Sequence, residues 1–476
     1  MIGPFIEWAR PHEGFIVFAA PLAGAALVVL TPTPRLAWLV AAISALATAA
    51  FALDLTTHTI NVAAGNGIGL LATALVACSA ALVMVGAGAL LKDWSARVAP
   101  LGLALGLCVG AGWIGALLAL DFVGVFLAAE GAWLATAGLL ALSGERERGA
   151  LNGALRMLGA GAAASALFLL GVGLIGAGAG TLQLAMLPAV QIANPAVTAT
   201  GIGLVLIALA LKTGVAPLHS WVGAAFGRGS SFAVLVLGAI GAAGALATLV
   251  RVAAFAIPAP AIATGVAAAL AVLGAVSVVV GSLQAIGASN LRRLAAYAGA
   301  AQAGGVLISV ALGSTAGFAA ALVQLFAMVA AAIVLLGGSA VLGGEQLTSS
   351  FDGLGRRAPF TSAAMTLGGL SLMGAPLTIG FLGRWRLIEA GVGADWWWAA
   401  VAAILLSLAG VFYCGRLIER LYLRRAREAF VGGGPWRLAL APALVAGAGA
   451  IALGLAPDSL LRVAAMAAAQ LWNGAP

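Results

Sequence analysis

The chain has 476 residues, of which 63% are apolar and 8% are charged, and its mean hydropathy is +1.13. A water-soluble protein of this length carries about 25% charged residues, so this composition excludes a soluble enzyme or binding module. The net charge of +8 comes from basic residues dispersed among short loops, which is unlike the clustered basic face of a nucleic-acid-binding protein. The composition predicts a protein embedded in lipid, where backbone polar groups are satisfied only in helices or closed barrels.

The apolar runs are about 20 residues long and lack the alternation of strands, so we predict an all-α polytopic membrane protein. About fourteen transmembrane helices are expected, followed by a short apolar or interfacial helix in the tail. No polar segment is long enough for a soluble domain, so residues 1–476 form a single predicted membrane domain. The predicted spans are 14–31, 36–55, 66–91, 99–118, 121–142, 156–178, 196–221, 231–256, 260–286, 294–312, 315–343, 361–391, 396–415 and 437–456.

The basic residues predict the orientation of these spans. Alternate loops carry most of the 23 basic residues, whereas the loops after spans two, four, six and ten carry none. By the positive-inside rule the basic loops are cytoplasmic, so with fourteen spans both termini face outward. The basic loop positions are Arg35, Lys92, Arg97, Arg146, Arg148, Arg156, Arg228, Arg292, Arg293, Arg356, Arg357, Arg416, Arg420, Arg424, Arg425, Arg427 and Arg437.

One acidic residue, Glu130, lies midway along the fifth predicted span. An ionisable group inside a membrane is costly, and in most cases it is functional and paired. No neighbour three or four positions away on the helix can pair with Glu130, so its partner must come from another span. Lys212 of the seventh span is the obvious candidate, and a packing role for Glu130 is the alternative.

Lys212 lies deep in the seventh span of a chain that has only one other lysine, Lys92. A charge near the bilayer centre costs about 2.5–3.5 kcal/mol on insertion scales. Arginine stays charged there, whereas a buried lysine can release its proton because desolvation disfavours the ammonium form. Lys212 is therefore a candidate proton carrier. A structural lysine neutralised by one carboxylate is the alternative.

Two spans contain a glycine and a proline close together. Proline removes a helix hydrogen bond and glycine tolerates unusual dihedral angles, so each pair predicts a broken helix. Interrupted helices in corresponding halves point to a transport path built from two inverted repeats. The predicted breaks are Gly214 with Pro217, near 212–221, and Gly374 with Pro376, near 371–384. The first repeat is predicted at about 99–256 and the second at about 260–425. The flanking helices are predicted at 14–91 and 437–476.

Three separated motifs resemble signatures of one family. The stretch Lys212-x-Gly-x-x-Pro-x-His-x-Trp221 resembles the span-seven signature of the antiporter-like, proton-conducting membrane subunits. This superfamily includes subunits of respiratory complex I, of multisubunit Mrp-type sodium/proton antiporters and of membrane-bound hydrogenases. The segment Asn290–Tyr297 resembles the entry to span ten, and the segment Gly353–Arg384 resembles span twelve. The match covers about residues 120–390 and is most similar to complex I subunit N.

The resemblance implies a proton-translocating subunit of a multisubunit membrane complex that is similar to NADH:quinone oxidoreductase of the respiratory chain. It implies other membrane subunits as partners, protons (or sodium) as the transported ion, and a prokaryotic-type inner (plasma) membrane. Any redox centre is expected in another subunit, so no cofactor and no metal are predicted here. Glu130 and Lys212 match the family's proton-transfer pair, in which the ammonium releases its proton when the carboxylate moves away.

His219 and Arg384 complete the candidate proton path. His219 is predicted to be either a proton relay or a hydrogen-bonded structural residue. Arg384 stands where the family usually has a lysine, and a guanidinium does not release a proton near neutral pH. Relay residues are also missing from Gly241–Gly244 in span eight and from Phe326–Ala330 in span eleven. Either waters bridge these gaps or the second half of the path is inactive; the side chains that could hold such waters are Thr213, Gln302, Gln324 and Ser371.

Three alternatives to a complex I-type proton translocator remain open on the sequence alone. The first is a scaffold subunit that retains the fold and conducts nothing, which the missing relay residues favour. The second is a subunit of a cation/proton antiporter or of a membrane-bound hydrogenase. The third is a free-standing secondary transporter, which the complex-type motifs oppose.

Overall fold

The computed structural model describes residues 12–59, 66–91, 94–143, 148–342, 351–425 and 436–473. In these ranges the regular structure is helical, apart from one isolated bridge between Asp121 and Gln183, so the predicted all-α class is confirmed. The helices are α1 (Glu13–Val29), α2 (Pro34–Thr59), α3 (Gly67–Leu90), α4 (Val98–Leu118), α5 (Phe122–Leu142), α6 (Arg148–Ala179), α7 (Pro195–Thr213), α8 (Val222–Arg228), α9 (Ser231–Ala256), α10 (Pro260–Gly287), α11 (Leu291–Ala311), α12 (Thr315–Leu342), α13 (Leu354–Arg357), α14 (Pro359–Met373), α15 (Ile379–Gly393), α16 (Trp397–Tyr422), α17 (Trp436–Leu455) and α18 (Asp458–Asn473).

The lengths of the described helices give fewer spans than the fourteen predicted. Among the described helices, eleven are each long and apolar enough to cross a membrane, or twelve if the bent pair α17–α18 counts as one span. The other predicted spans correspond to the 17-residue helix α1 and to the α14–α15 pair, whose members have 15 residues each. The total of fourteen therefore stays a prediction.

Two helices extend well beyond their predicted spans. Helix α6 begins at Arg148 instead of 156, and α16 ends at Tyr422 instead of 415. The physical reason is that an apolar run marks the part of a helix that crosses the lipid core, whereas helical hydrogen bonds continue into the polar interface. Hydropathy therefore located these helices but not their ends.

Both predicted breaks are present, and they share one backbone geometry. Helix α7 ends at Thr213 and α14 ends at Met373, and each is followed by a glycine in the left-handed region, Gly214 at φ 83° and Gly374 at φ 73°. A residue with a Cβ atom is strained in that region, so glycine is required at both positions.

The hydrogen bonds after each glycine complete the same helix-ending motif. Val215 N donates to Ala210 O at 3.0 Å, and Ala375 N donates to Leu370 O at 2.9 Å. These bonds satisfy carbonyls that the ended helix would otherwise leave unpaired in the membrane. In the first break the Ala216–Pro217 peptide bond is cis. Each break is thus a defined turn between two helical segments.

Glycines allow the closest helix crossings in the bundle. At the α10–α11 crossing, a Cβ atom on Gly274 would lie 2.7 Å from the carbonyl oxygen of Gly304. At the α6–α7 crossing, a Cβ atom on Gly171 would lie 2.6 Å from the carbonyl oxygen of Gly201. Such contacts are typical of membrane helices, where small residues let two backbones approach. Helices α9 and α11 are the most buried of the spanning helices, and α2 and α6 are among the least buried.

The α10–α11 crossing generates a stability prediction. Gly274→Ala is expected to destabilise the bundle by about 1–3 kcal/mol, because the added methyl group cannot fit without moving a backbone. The matched control is Gly265→Ala on the same helix, where a Cβ atom meets nothing within 4 Å. Thermal unfolding of the purified protein in detergent measures both. An equal midpoint for the two variants would contradict the close crossing.

Candidate proton-transfer site

The candidate site lies where α5, α6 and α7 meet. Glu130 is midway along α5 and Lys212 is in the last turn of α7. Lys212 Nζ lies 2.8 Å from Glu130 Oε1, and the two side chains are 1% and 18% exposed. The structure therefore brings together the two ionisable residues that the sequence singled out, in a contact where burial makes each charge depend on the other.

The break after α7 explains why an ammonium group can be held at this depth. Because Gly214 ends the helix, Lys212 lies in the last helical turn, where the aligned backbone dipoles favour a positive charge. The Lys212 side chain also lies over the Trp133 ring, with 4.8 Å between Nζ and the ring centroid. A carboxylate, a helix terminus and an aromatic face thus all stabilise the protonated amine.

Two further residues of the site were not predicted. Ser165 of α6 donates to Glu130 Oε1 at 2.6 Å, and it can alternatively donate to Gly161 O at 2.8 Å. Trp133 lies on the same face of α5 as Glu130, three positions later, so helical spacing was a signal for it. Nothing in the sequence pointed to Ser165, because its position depends on how α6 packs against α5.

The two indole rings close the site. The rings of Trp133 and Trp221 meet edge to face at a centroid distance of 5.1 Å. Trp221 Nε1 donates to Leu211 O at 3.0 Å, across the break, and satisfies one of the last carbonyls of α7. The tryptophan of the span-seven motif therefore caps α7 and packs against the ring that lies beside Lys212.

His219 lies on the linker between α7 and α8, apart from the ion pair. Its Nε2 atom is 2.5 Å from Gln284 Oε1, and its ring lies 6.1 Å from the Tyr297 ring. The same linker is held by Ser277, whose Oγ accepts from Ala216 N at 3.0 Å. These contacts join the linker to α10 and α11.

A cavity of about 40 Å³ adjoins the first break. Thr213 and Gly214 form one wall, and Gly238 and Ala242 of α9 form another. This part of α9 contains a π-helical turn, Leu237–Gly241, which is the kind of distortion often found at functional sites. One water needs about 10–15 Å³ of such volume, so the cavity can hold water next to the break.

The fourth residue of the predicted path, Arg384 of α15, lies beside the second break. Arg384 is 3% exposed, and its Nη2 donates to Leu372 O. Gln302 Nε2 donates to the same carbonyl at 3.2 Å, and Gln324 Nε2 donates to Gln302 Oε1 at 3.3 Å. Arg384 thus belongs to a separate buried polar network of amides and backbone carbonyl groups, which α11, α12, α14 and α15 contribute.

The described residues contain no group of three or more His, Cys, Asp or Glu side chains that could hold a metal ion. The ionisable pair of Lys212 and Glu130, in contact at 2.8 Å, is suited to acid–base chemistry.

One protein family matches the part of the chain that contains the site. A family described as NADH:quinone oxidoreductase/Mrp antiporter, transmembrane part, matches residues 119–410. This range includes both breaks, the ion pair and Arg384.

Similar sequences and structures extend the match to most of the chain. NADH-quinone oxidoreductase subunit N 1 of Solidesulfovibrio magneticus is 31% identical over 380 residues, which is 76% of this chain and 78% of that protein. Subunit N of Desulforudis audaxviator is 29% identical over 408 residues, or 81% and 80%. A chain of respiratory complex I from Thermus thermophilus superposes with a TM-score of 0.80 and 26% identity, covering 95% and 99%. A chain of the Mrp complex from Dietzia sp. shares the fold, with a TM-score of 0.83, 22% identity and 97% coverage of each.

The ion pair generates a prediction about stability. In a double-mutant cycle of Glu130→Gln and Lys212→Met, we expect a coupling free energy of about 1–3 kcal/mol, because either single change leaves a buried polar group without its partner. Chemical denaturation in detergent measures the cycle. The control cycle combines Lys212→Met with Arg386→Gln, and these should be additive within about 0.5 kcal/mol. Additive effects in the first cycle would exclude a direct ion pair.

Proposed function

The chain belongs to the NADH:quinone oxidoreductase/Mrp antiporter family of membrane proteins, and we propose that it is a proton-translocating subunit of a multisubunit membrane complex in which Lys212 carries the proton and Glu130 controls it. The observation that carries this proposal is the buried contact of 2.8 Å between these two side chains, beside a broken helix. The similarity to subunit N proteins supports a complex of the NADH:quinone oxidoreductase type.

The proposed step is a proton transfer from the Lys212 ammonium to water at the first break. While the Glu130 carboxylate is in contact, the ammonium form is favoured; when the carboxylate turns away, burial favours the neutral amine and the proton leaves. Ser165 supports this switch because its hydroxyl can bond either to Glu130 or to Gly161 O. The amine then takes up a proton from the opposite side, which completes the cycle.

The free energy of the buried ion pair is comparable to the cost of moving a proton against a membrane potential. Moving one elementary charge against 100 mV costs about 2.3 kcal/mol. Separating a buried ion pair costs about 3–5 kcal/mol, so control of this one contact is enough to drive or block the release of a proton. The cavity beside Thr213 and Gly214 is the proposed first acceptor position, because it adjoins the residue that follows Lys212.

Within this proposal His219 is a positioning residue on the linker, and Arg384 lies further along the path. The contact of His219 with Gln284 supports the first assignment, since it ties the linker to α10. The orientation that we propose places the loops before α11 and before α14 in the cytoplasm and both termini outside. The arginines beside those loops support this orientation.

A non-conducting scaffold is the second candidate, and one observation favours it. The network at the second break consists of amides, a backbone carbonyl and a guanidinium, none of which exchanges protons readily near neutral pH. The two candidates differ in what happens when Lys212 loses its amine.

The decisive experiment is the effect of Lys212→Met and Glu130→Gln on proton translocation by the assembled complex in proteoliposomes. We expect fewer protons moved per electron pair with Lys212→Met, and a smaller loss or altered pH profile with Glu130→Gln, because only the first removes the carrier. The control is Lys92→Met, which changes the other lysine of the sequence. Unchanged translocation in assembled Lys212→Met complexes would favour the scaffold.

A second experiment tests the proposed orientation. In a variant whose native cysteines are replaced by alanine, a membrane-impermeant maleimide added outside intact cells should label Asp395→Cys, between α15 and α16. It should not label Ser289→Cys, between α10 and α11, until the membrane is opened. Both positions are exposed in the described structure, so accessibility does not distinguish them. The reverse labelling pattern would invert the topology.

A further inference from the structure

The two breaks have the same backbone and different chemistry. Lys212 stands two residues before the left-handed Gly214, and Leu372 stands two residues before the left-handed Gly374. The second break therefore has an apolar side chain where the first has its amine. At the second break, the polar group of Leu372 is its backbone carbonyl, which accepts hydrogen bonds from both Arg384 and Gln302.

Arg384 is built tightly into the second break. Arg384 Nη1 occupies the space that a Cβ atom on residue 374 would fill, so the guanidinium packs directly against Gly374. Arg384 is buried, and its Nε and Nη1 atoms have no hydrogen-bond partner among the described residues. Its position is thus defined by packing, and only part of its bonding capacity is used.

The groups around this guanidinium do not neutralise it. Its polar neighbours are the amides of Gln302 and Gln324 and two buried groups of α16, the Tyr413 hydroxyl and the Cys414 thiol. In the part of the chain that the structure describes, no Asp or Glu forms an ion pair with Arg384. A guanidinium does not lose its proton under physiological conditions, so the second break holds a fixed and uncompensated positive charge.

This charge lies close to the continuation of the path from Lys212. The cavity beside the first break is bounded by Ala300 of α11 and Met328 of α12. Gln324 lies one helical turn from Met328, on the same face of α12. The Gln324 amide donates to Gln302 Oε1. The Gln302 amide in turn donates to the Leu372 carbonyl. An excess proton moving from the cavity toward the second break therefore approaches Arg384.

We infer that Arg384 is an electrostatic barrier that suppresses passive leakage of protons past the second break. The inference rests on the proposed function, since it assumes a proton path that begins at Lys212. A fixed charge about 6 Å away lowers the local population of a proton on the order of 100-fold at an effective dielectric constant of 20. Arginines that line a pore exclude protons and cations in this way.

The test measures passive proton leakage, without substrate, in proteoliposomes that contain the assembled complex. An imposed pH gradient with a potassium diffusion potential drives the leak. Arg384→Gln removes the charge and keeps an amide that can donate to Leu372 O; Arg384→Met removes both. A charge barrier predicts that both variants raise the leak on the order of tenfold or more. If only Arg384→Met raises it, the hydrogen bond matters and the charge barrier is overturned.

Two controls make the result specific. Arg386→Gln removes an exposed arginine two residues away, which pairs with Glu389, and it should leave the leak unchanged. In the double variant Arg384→Gln with Lys212→Met, the extra leak should disappear, because the path no longer contains its carrier. A leak that persists in the double variant would show a route that bypasses Lys212 and would overturn the inference.

These outcomes separate the inference from the proposed function. If Arg384→Gln leaves the leak at its original level while Lys212→Met still lowers the number of protons moved per electron pair, only the barrier is wrong. If Lys212→Met leaves translocation intact, the proposed function itself fails. Neither Arg384 variant leaves a buried carboxylate without its partner, which is the costly case, so both variants are expected to assemble.

Discussion

The structure depends on one buried contact between charges, the carboxylate of Glu130 and the ammonium of Lys212. Each charge alone is costly in a bundle that lipid surrounds, and the meeting of α5 and α7 at this depth lowers the cost of both. Gly214 makes the contact possible, because it ends α7 and places the amine at the negative end of the helix dipole. The break in the helix and the charge pair are therefore parts of one arrangement.

The two halves of the molecule use the same turn for different chemistry. Both Gly214 and Gly374 end a helix in the left-handed region with equivalent hydrogen bonds. The first turn presents an amine that can change its charge, whereas the second presents a carbonyl bound by a guanidinium that cannot. The proposed proton exchange and the proposed electrostatic exclusion thus occur at two turns with the same backbone geometry.

The arginines of the span-ten motif hold two helices together. Arg292 Nη1 donates to Gly229 O at 2.8 Å, and Arg293 Nε donates to Gly223 O at 3.0 Å. Asn290 caps the same helix by accepting from Arg292 N at 2.8 Å. These bonds hold the short helix α8, which follows the first break, against α11. The motif therefore links α11 to the short helix that follows the first break.

The sequence by itself determined the helical class, the approximate positions of the spans, both breaks and the two ionisable residues of the site. These are local properties: apolar run length, a glycine followed by proline, and a charge within an apolar segment. The tertiary structure alone decided that Ser165 bonds to Glu130, that the Trp133 ring lies against Lys212, and that Arg384 donates to Leu372 O. These contacts join segments far apart in the chain, and their partners depend on which helix faces pack together, which hydropathy does not encode.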